Sequence, residues 1–130
     1  MKPANKIKQL ILLSYYEDNK ISMDLNLHPC DIDEVIEFVW NEIDSKHLQS
    51  YIYELREGDF VTDIIPDWSR HYECRSVAAK MHDGSFVGWD YWYGGGKHGD
   101  PDSIDWISDA YNLDIKEEEK LVIVKTFTKL

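Results

Sequence analysis

The residues best suited to acid–base chemistry lie on either side of a strand-like run. His71 and Glu73 precede its most aromatic part, and Lys97, His98 and Asp100 follow it. A histidine beside a carboxylate can serve as a general base, and a lysine can stabilise a developing anion. These residues suggest an alternative function: a small enzyme or ligand-binding domain with a pocket at the glycine-rich end of the predicted hairpin. No nucleophile with a dedicated base is visible, so an enzyme is not our leading expectation.

A glycine-rich segment lies within the same region. Residues 94–99 read Gly-Gly-Gly-Lys-His-Gly, which matches the G-x-G-x-x-G spacing of dinucleotide-binding turns. Asp100 and Asp102 follow at once, and their carboxylates would repel a phosphate at the start of a helix. The preceding strand also belongs to a predicted antiparallel hairpin rather than to a parallel βαβ unit. We therefore expect these glycines to serve backbone geometry and expect no cofactor.

Two histidines and two cysteines form the ligand set of a structural zinc site. They are His28, Cys30, His71 and Cys74. Their spacing is not that of a recognised zinc finger, and unpaired cysteines are mostly small buried apolar side chains. The sequence therefore leaves zinc as an alternative and favours two free thiols.

The element that positions these residues is a predicted β-hairpin, in which residues 70–82 pair with residues 85–95. Asp83-Gly84 between two strand-like runs favours a two-residue type I′ turn, with positive φ at both positions. That turn would place His82 opposite Ser85 and His71 opposite Gly96. The resulting core face pairs small residues with aromatic ones and contains Cys74, Ser76, Ala78, Lys80, Val87, Trp89, Tyr91 and Tyr93. The opposite face would pair Arg75 with Trp92.

The other elements complete an α+β domain spanning residues 1–130. Apolar spacing predicts a helix capped by Asp31 and a second helix after Asp44. Asp100-Pro101 is typical of a third helix start, with an apolar stripe at Ile104, Ile107, Ala110 and Tyr111. Residues 4–16 fit a helix or a strand, residues 60–65 fit a short helical turn, and residues 21–27 and 121–128 fit strands. We expect an antiparallel sheet of three to five strands, including this carboxy-terminal strand, with acidic helices on one face.

Charge limits the classes of partner. The chain has a formal net charge of −11, with 25 acidic and 14 basic side chains. Direct binding to nucleic acid or to an anionic membrane requires clustered lysine and arginine, so neither is expected. With two cysteines, no apolar leader and no apolar run of membrane length, we expect a cytoplasmic protein.

These observations favour a small acidic binding protein that docks on a basic protein surface, as an inhibitor or an adaptor. One version is a nucleic-acid mimic acting on a nucleic-acid-handling protein, as in anti-defence proteins of phages or mobile elements. A homodimer through a sheet edge is a further possibility. Trp92 and Trp106 are the predicted exposed anchors. The predicted contact residues are Trp92, Lys97, His98, Asp100, Asp102, Asp105, Trp106, Asp109, Glu117, Glu118 and Glu119.

Overall fold

The computed structural model describes residues 1–21, 32–95 and 104–130. Over these residues, three helices come first and four strands follow. The helices are α1 (Pro3–Asp18), α2 (Ile32–Glu42) and α3 (Ser45–Leu55), and the strands are β1 (Phe60–Val61), β2 (Glu73–Lys80), β3 (Phe86–Tyr93) and β4 (Tyr111–Leu113). The strands form one antiparallel sheet in the order β1-β2-β3-β4. This confirms the predicted α+β fold.

The first segment, which the sequence left open between helix and strand, is helix α1. Pro3 lies in its first turn, where the missing N–H costs no hydrogen bond. Ile7, Ile11 and Leu12 are almost fully buried, which is the spacing of one helical face. Helix α1 contacts both other helices and also strands β3 and β4, so it is the central element of the helical layer.

Helices α2 and α3 confirm the two helices predicted from apolar spacing. Ile36 and Val39 of α2 and Leu48 of α3 are buried in the core. Asp44 caps α3, because its Oδ1 accepts a hydrogen bond from the backbone N–H of Lys46 at 3.0 Å. The acidic charge is concentrated in α2, which contains four carboxylates and no lysine or arginine, whereas α1 and α3 are nearly balanced.

The central hairpin forms as predicted, but its register differs by one residue. Glu73 pairs with Tyr93 and Lys80 with Phe86, and the loop contains His82, Asp83 and Gly84. Gly84 has a φ of +89° and no positive φ occurs at Asp83, so the turn is not type I′.

The Asp83 side chain explains why the turn takes this form. Its Oδ1 accepts hydrogen bonds from the N–H of Ser85 at 2.9 Å and from the Ser85 hydroxyl at 2.7 Å. These bonds lower the pKa of Asp83. They stabilise a three-residue loop with only glycine in the left-handed conformation.

The register shift reverses which face of β2 is buried, because side chains alternate along a strand. Val77, Ala79 and Met81 join Val87 and Trp89 in the core under the helices. The predicted core face was therefore correct for β3 and wrong for β2. Arg75 likewise contacts the Tyr93 ring, at 5.1 Å from its centroid, rather than Trp92.

Three further predictions were wrong. Residues 60–65 begin with strand β1 instead of a helical turn. Residues 104–110 form turns, and Tyr111–Leu113 is strand β4, so the apolar stripe is not helical. Residues 121–128 are exposed and form no strand. The predicted strand at residues 21–27, the Asp31 cap and the helix start at Asp100 lie largely or wholly outside the described residues.

Candidate functional site

The sheet has a second face, turned away from the helices, which we call the outer face. It carries Cys74, Ser76 and Ala78 of β2 and Phe86, Gly88, Asp90 and Trp92 of β3, by alternation from the buried core residues. The Tyr111 ring lies against Gly88, where an added Cβ would be 2.6 Å from Tyr111 Cε2. Part of the outer face is therefore covered by β4.

A loop, residues 62–72, joins β1 to β2 and is attached to the outer face. We call it the Trp68 loop. At its start, the backbone N–H of Thr62 donates to the carbonyl of Ser76 at 2.9 Å. At its middle, the N–H of Asp67 donates to Asp90 Oδ2 at 3.3 Å. Two separate points of attachment hold the loop on the sheet.

The Asp90 side chain links the Trp68 loop to Ser76, a buried residue of β2 on the outer face. Its Oδ1 accepts a hydrogen bond from the hydroxyl of Ser76 at 3.4 Å, and Ser76 is almost fully buried. The same carboxylate affects Cys74: burial, and then the charges of Asp90 and Asp67, raise the pKa of the Cys74 thiol to about 11. At neutral pH this thiol is protonated, so it is a poor nucleophile.

Two large apolar side chains of the Trp68 loop are almost fully exposed to solvent. Ile65 is 91% exposed and Trp68 is 80% exposed. The Trp68 backbone is nevertheless held, because its N–H donates to Asp67 Oδ1 at 2.8 Å. A fixed backbone with an exposed indole is the arrangement expected of an interface anchor, since less conformational entropy is lost on binding.

The charge around these side chains is negative. Residues 59–69 include Asp59, Asp63 and Asp67 and contain no lysine or arginine, although Arg70 follows. All three carboxylates belong to exposed or half-exposed residues. The loop can therefore provide apolar contact at its tip and electrostatic attraction to a basic surface around it.

Neither Trp92 nor Trp106, the two predicted exposed anchors, is fully exposed to solvent. Trp106 is 9% exposed and packs against the buried Trp89, with ring centroids 5.2 Å apart, so its predicted exposure was wrong. Trp106 lies within a tight turn in which Asp105 accepts hydrogen bonds from the N–H and hydroxyl of Ser108 at 3.2 and 2.7 Å. These bonds lower the pKa of Asp105. Trp92 is half-buried on the outer face.

The predicted acidic contacts are not brought together on one helix. Asp105 and Asp109 are exposed on the turns of residues 104–110, and Glu117, Glu118 and Glu119 are exposed beyond β4. Glu118 forms an ion pair with Lys116 at 2.7 Å. The other predicted contacts, Lys97, His98, Asp100 and Asp102, lie outside the described residues.

The alternative catalytic and zinc residues are only partly described. His71 is exposed and Cys74 is half-buried with a free thiol. His28, Cys30, Lys97, His98 and Asp100 fall in the segments that the structure does not describe. Within residues 1–21, 32–95 and 104–130, no three histidine, cysteine or carboxylate side chains converge as a metal site would require.

Sequence reasoning missed Trp68 and Ile65, which it did not nominate as contact residues. A signal was present, because Pro66-Asp67 interrupts the apolar run and is typical of a surface loop. Surface loops on a rigid scaffold often carry binding residues.

Comparisons with protein-family models, with curated proteins and with solved structures found no match for this chain. In the part of the chain that the structure describes, no helix has both the length and the apolar character needed to cross a bilayer.

Proposed function

We propose that this chain is an acidic cytoplasmic binding protein that docks on a basic protein surface through the Trp68 loop. The observation that carries the proposal is the pair of exposed apolar side chains, Ile65 and Trp68, on a loop attached to the sheet through Asp90. Trp is favoured at interface hot spots, and its neighbours Asp63 and Asp67 attract cationic side chains. The net charge of −11 supports a basic partner.

The proposed partner class includes proteins whose basic groove binds DNA or RNA. A surface with carboxylates around an aromatic side chain can occupy such a groove in place of phosphates and bases. In that case the chain acts as an inhibitor, and nucleic acid competes with it for the partner. An adaptor that docks elsewhere on the partner would be insensitive to added nucleic acid.

The test compares Trp68→Ala with Phe38→Ala. Phe38 is also an exposed aromatic, at 66%, and it lies on the acidic helix α2 with Glu34 and Glu42 one turn away on either side. Both substitutions remove a solvent-exposed ring, so neither is expected to change the free energy of unfolding by more than about 0.5 kcal/mol. The two variants therefore distinguish binding through the Trp68 loop from binding through the acidic, aromatic surface of α2.

We expect Trp68→Ala to weaken binding to a captured partner by at least about 2 kcal/mol, or roughly thirtyfold, and Phe38→Ala to leave it unchanged. Retention of the partner should also fall as salt rises from about 0.1 M to about 1 M, which shortens the Debye length from ~10 Å to ~3 Å. A partner that is retained equally at both salt concentrations contradicts electrostatic docking. A partner lost with Phe38→Ala but not with Trp68→Ala assigns the interface to α2 instead.

A further inference from the structure

The last part of the chain has the composition of a strand but lies free of the sheet. We call residues 120–130 the tail. Its large apolar side chains Leu121, Val122, Ile123, Val124 and Phe127 are each at least 78% exposed. Such a run of β-branched and aromatic residues is the composition of a strand that is buried on at least one side. In contact with water alone, it would form an exposed apolar patch of the kind that marks an interaction site.

The tail differs from the rest of the chain in charge. It contains Lys120, Lys125 and Lys129 and no acidic side chain, so its formal charge is +3. Residues 1–119 contain 11 basic and 25 acidic side chains, which gives −14. The tail is therefore complementary in charge to the domain that precedes it.

A groove on the outer face has the matching features. It has a volume of about 450 Å³, and its apolar lining includes Phe60, Ala78, Phe86 and Leu113. Phe60 and Phe86 face each other with ring centroids 5.9 Å apart. Asp63, Asp114 and Lys116 also line the groove, and Lys116 forms an ion pair with Glu118. Apolar surface and carboxylates occur together here, as they must to receive an apolar and basic strand.

The strands on either side of the groove are at the edges of the described sheet. Strand β1 is one edge and β4 is the other. Edge strands present backbone N–H and C=O groups that a further strand can pair with. An incoming strand could therefore gain backbone hydrogen bonds at an edge as well as side-chain contacts in the groove.

We propose that the tail of one copy of this chain occupies the outer-face groove of a second copy, and that the exchange is reciprocal. The donor is a second copy because the tail's apolar side chains are exposed and not packed on their own domain. A reciprocal exchange fills both grooves and buries both tails, which is a low-cost route to a symmetric dimer. The groove shares Asp63 with the Trp68 loop, but Trp68 does not line it, so Trp68→Ala tests the docking function without altering the groove.

The experiment measures the mass of the full chain in solution over a range of concentrations. We expect a dimer, near twice 15.3 kDa. Ile123→Asp places a carboxylate among the tail's apolar side chains and should weaken dimerisation at least about 100-fold. Thr126→Asp introduces the same charge on the opposite side of an extended tail and is the matched control, which should remain a dimer.

A second variant tests the groove itself. Ile115 lines the groove and is 55% exposed, so Ile115→Asp can fold while making the groove unfavourable for an apolar strand. We expect this variant to be monomeric. Mixed with Ile123→Asp, it should form a heterodimer weaker than the wild-type dimer, because one of the two tail–groove contacts remains intact.

Circular dichroism is the control that each variant is folded, so that a monomeric mass reports a lost contact and not an unfolded chain. A wild-type chain that is monomeric at every concentration overturns the proposal, whether its tail is free or docked on its own domain. A dimer that survives Ile123→Asp also overturns it. Failure of the two variants to form even a weaker complex when mixed at high concentration contradicts the pairing of tail with groove.

Discussion

Substituting two glycines that both have a positive φ tests the observed register of the sheet. Gly58 has a φ of +70° and Gly84 a φ of +89°, so alanine at either position is held in the left-handed region. That conformation costs an L-residue about 1–2 kcal/mol. The two sites differ in their surroundings. A Cβ at Gly58 would lie 2.7 Å from Val77 Cβ and 3.2 Å from the Ala78 carbonyl oxygen, whereas a Cβ at Gly84 would meet nothing within 4 Å.

We therefore expect Gly84→Ala to lower the free energy of unfolding by about 1–2 kcal/mol through backbone strain alone. Gly58→Ala adds overpacking against β2, which costs about 1–3 kcal/mol, for a total of roughly 2–5 kcal/mol. The close neighbours are a β-branched side chain and a strand backbone, so the structure cannot relieve the contact by moving a flexible chain end. Urea denaturation followed by circular dichroism measures both values, with unchanged m-values as the check that the same transition is compared.

The comparison depends on Val77 facing the helices. In the register predicted from a two-residue turn, Val77 would point to the outer face and would not crowd Gly58. If the two alanine variants are destabilised equally, within about 0.5 kcal/mol, the observed pairing of β2 is wrong.

Three further predictions concern single side chains. Trp89→Phe removes the indole N–H that donates to the Arg56 carbonyl at 2.8 Å, and it should lower the free energy of unfolding by about 2–4 kcal/mol, measured by thermal or urea denaturation. The matched change at the exposed Trp68, Trp68→Phe, should cost no more than about 0.5 kcal/mol. Similar losses in the two variants would contradict the assignment of Trp89 to the core. Asp105→Ala should cost about 1 kcal/mol by removing both bonds from Ser108. Since those bonds lower the pKa of Asp105, the wild-type advantage is complete above the unfolded value of ~3.9 and is lost as pH falls through the folded value, and an advantage unchanged by acid would refute this. Because the pKa of Cys74 is raised to about 11, the stability that its protonated thiol contributes is present below the unfolded value of 9.0 and is lost as pH rises toward 11. Iodoacetamide should therefore label Cys74 slowly at pH ~8, and Asp90→Asn should accelerate the labelling, as measured by peptide mapping. Equal labelling rates in the wild type and the variant would exclude the Asp90 charge as a cause of the raised pKa.

The helices could be predicted from the sequence because their signal is local. Apolar residues at helical spacing identified α2 and α3, and Asp44 was recognised at the start of α3. The apolar residues of α1 fit both a helix and a strand period, so the sequence leaves this segment open between the two. Its burial against the other helices and the sheet decides between them, and that packing involves residues far apart in sequence.

The hairpin was predictable, but its register was not. Asp-Gly allows two loops that differ by one residue in length. The choice depends on whether Asp83 adopts a positive φ or accepts hydrogen bonds from Ser85. A small local difference of this kind reverses the buried face of an entire strand, because strand side chains alternate.

Sequence alone therefore determined the fold class, helices α2 and α3, the hairpin and the acidic charge, each of which follows from local spacing or composition. Tertiary structure decided which side chains face water. Trp106 is buried against Trp89 and Trp68 is exposed, although both are tryptophans beside aspartates. Strand composition likewise did not place residues 121–128 in the sheet, whereas the three residues of β4 are paired with β3. The physical reason is that exposure and strand pairing depend on partners distant in sequence, which no local pattern specifies.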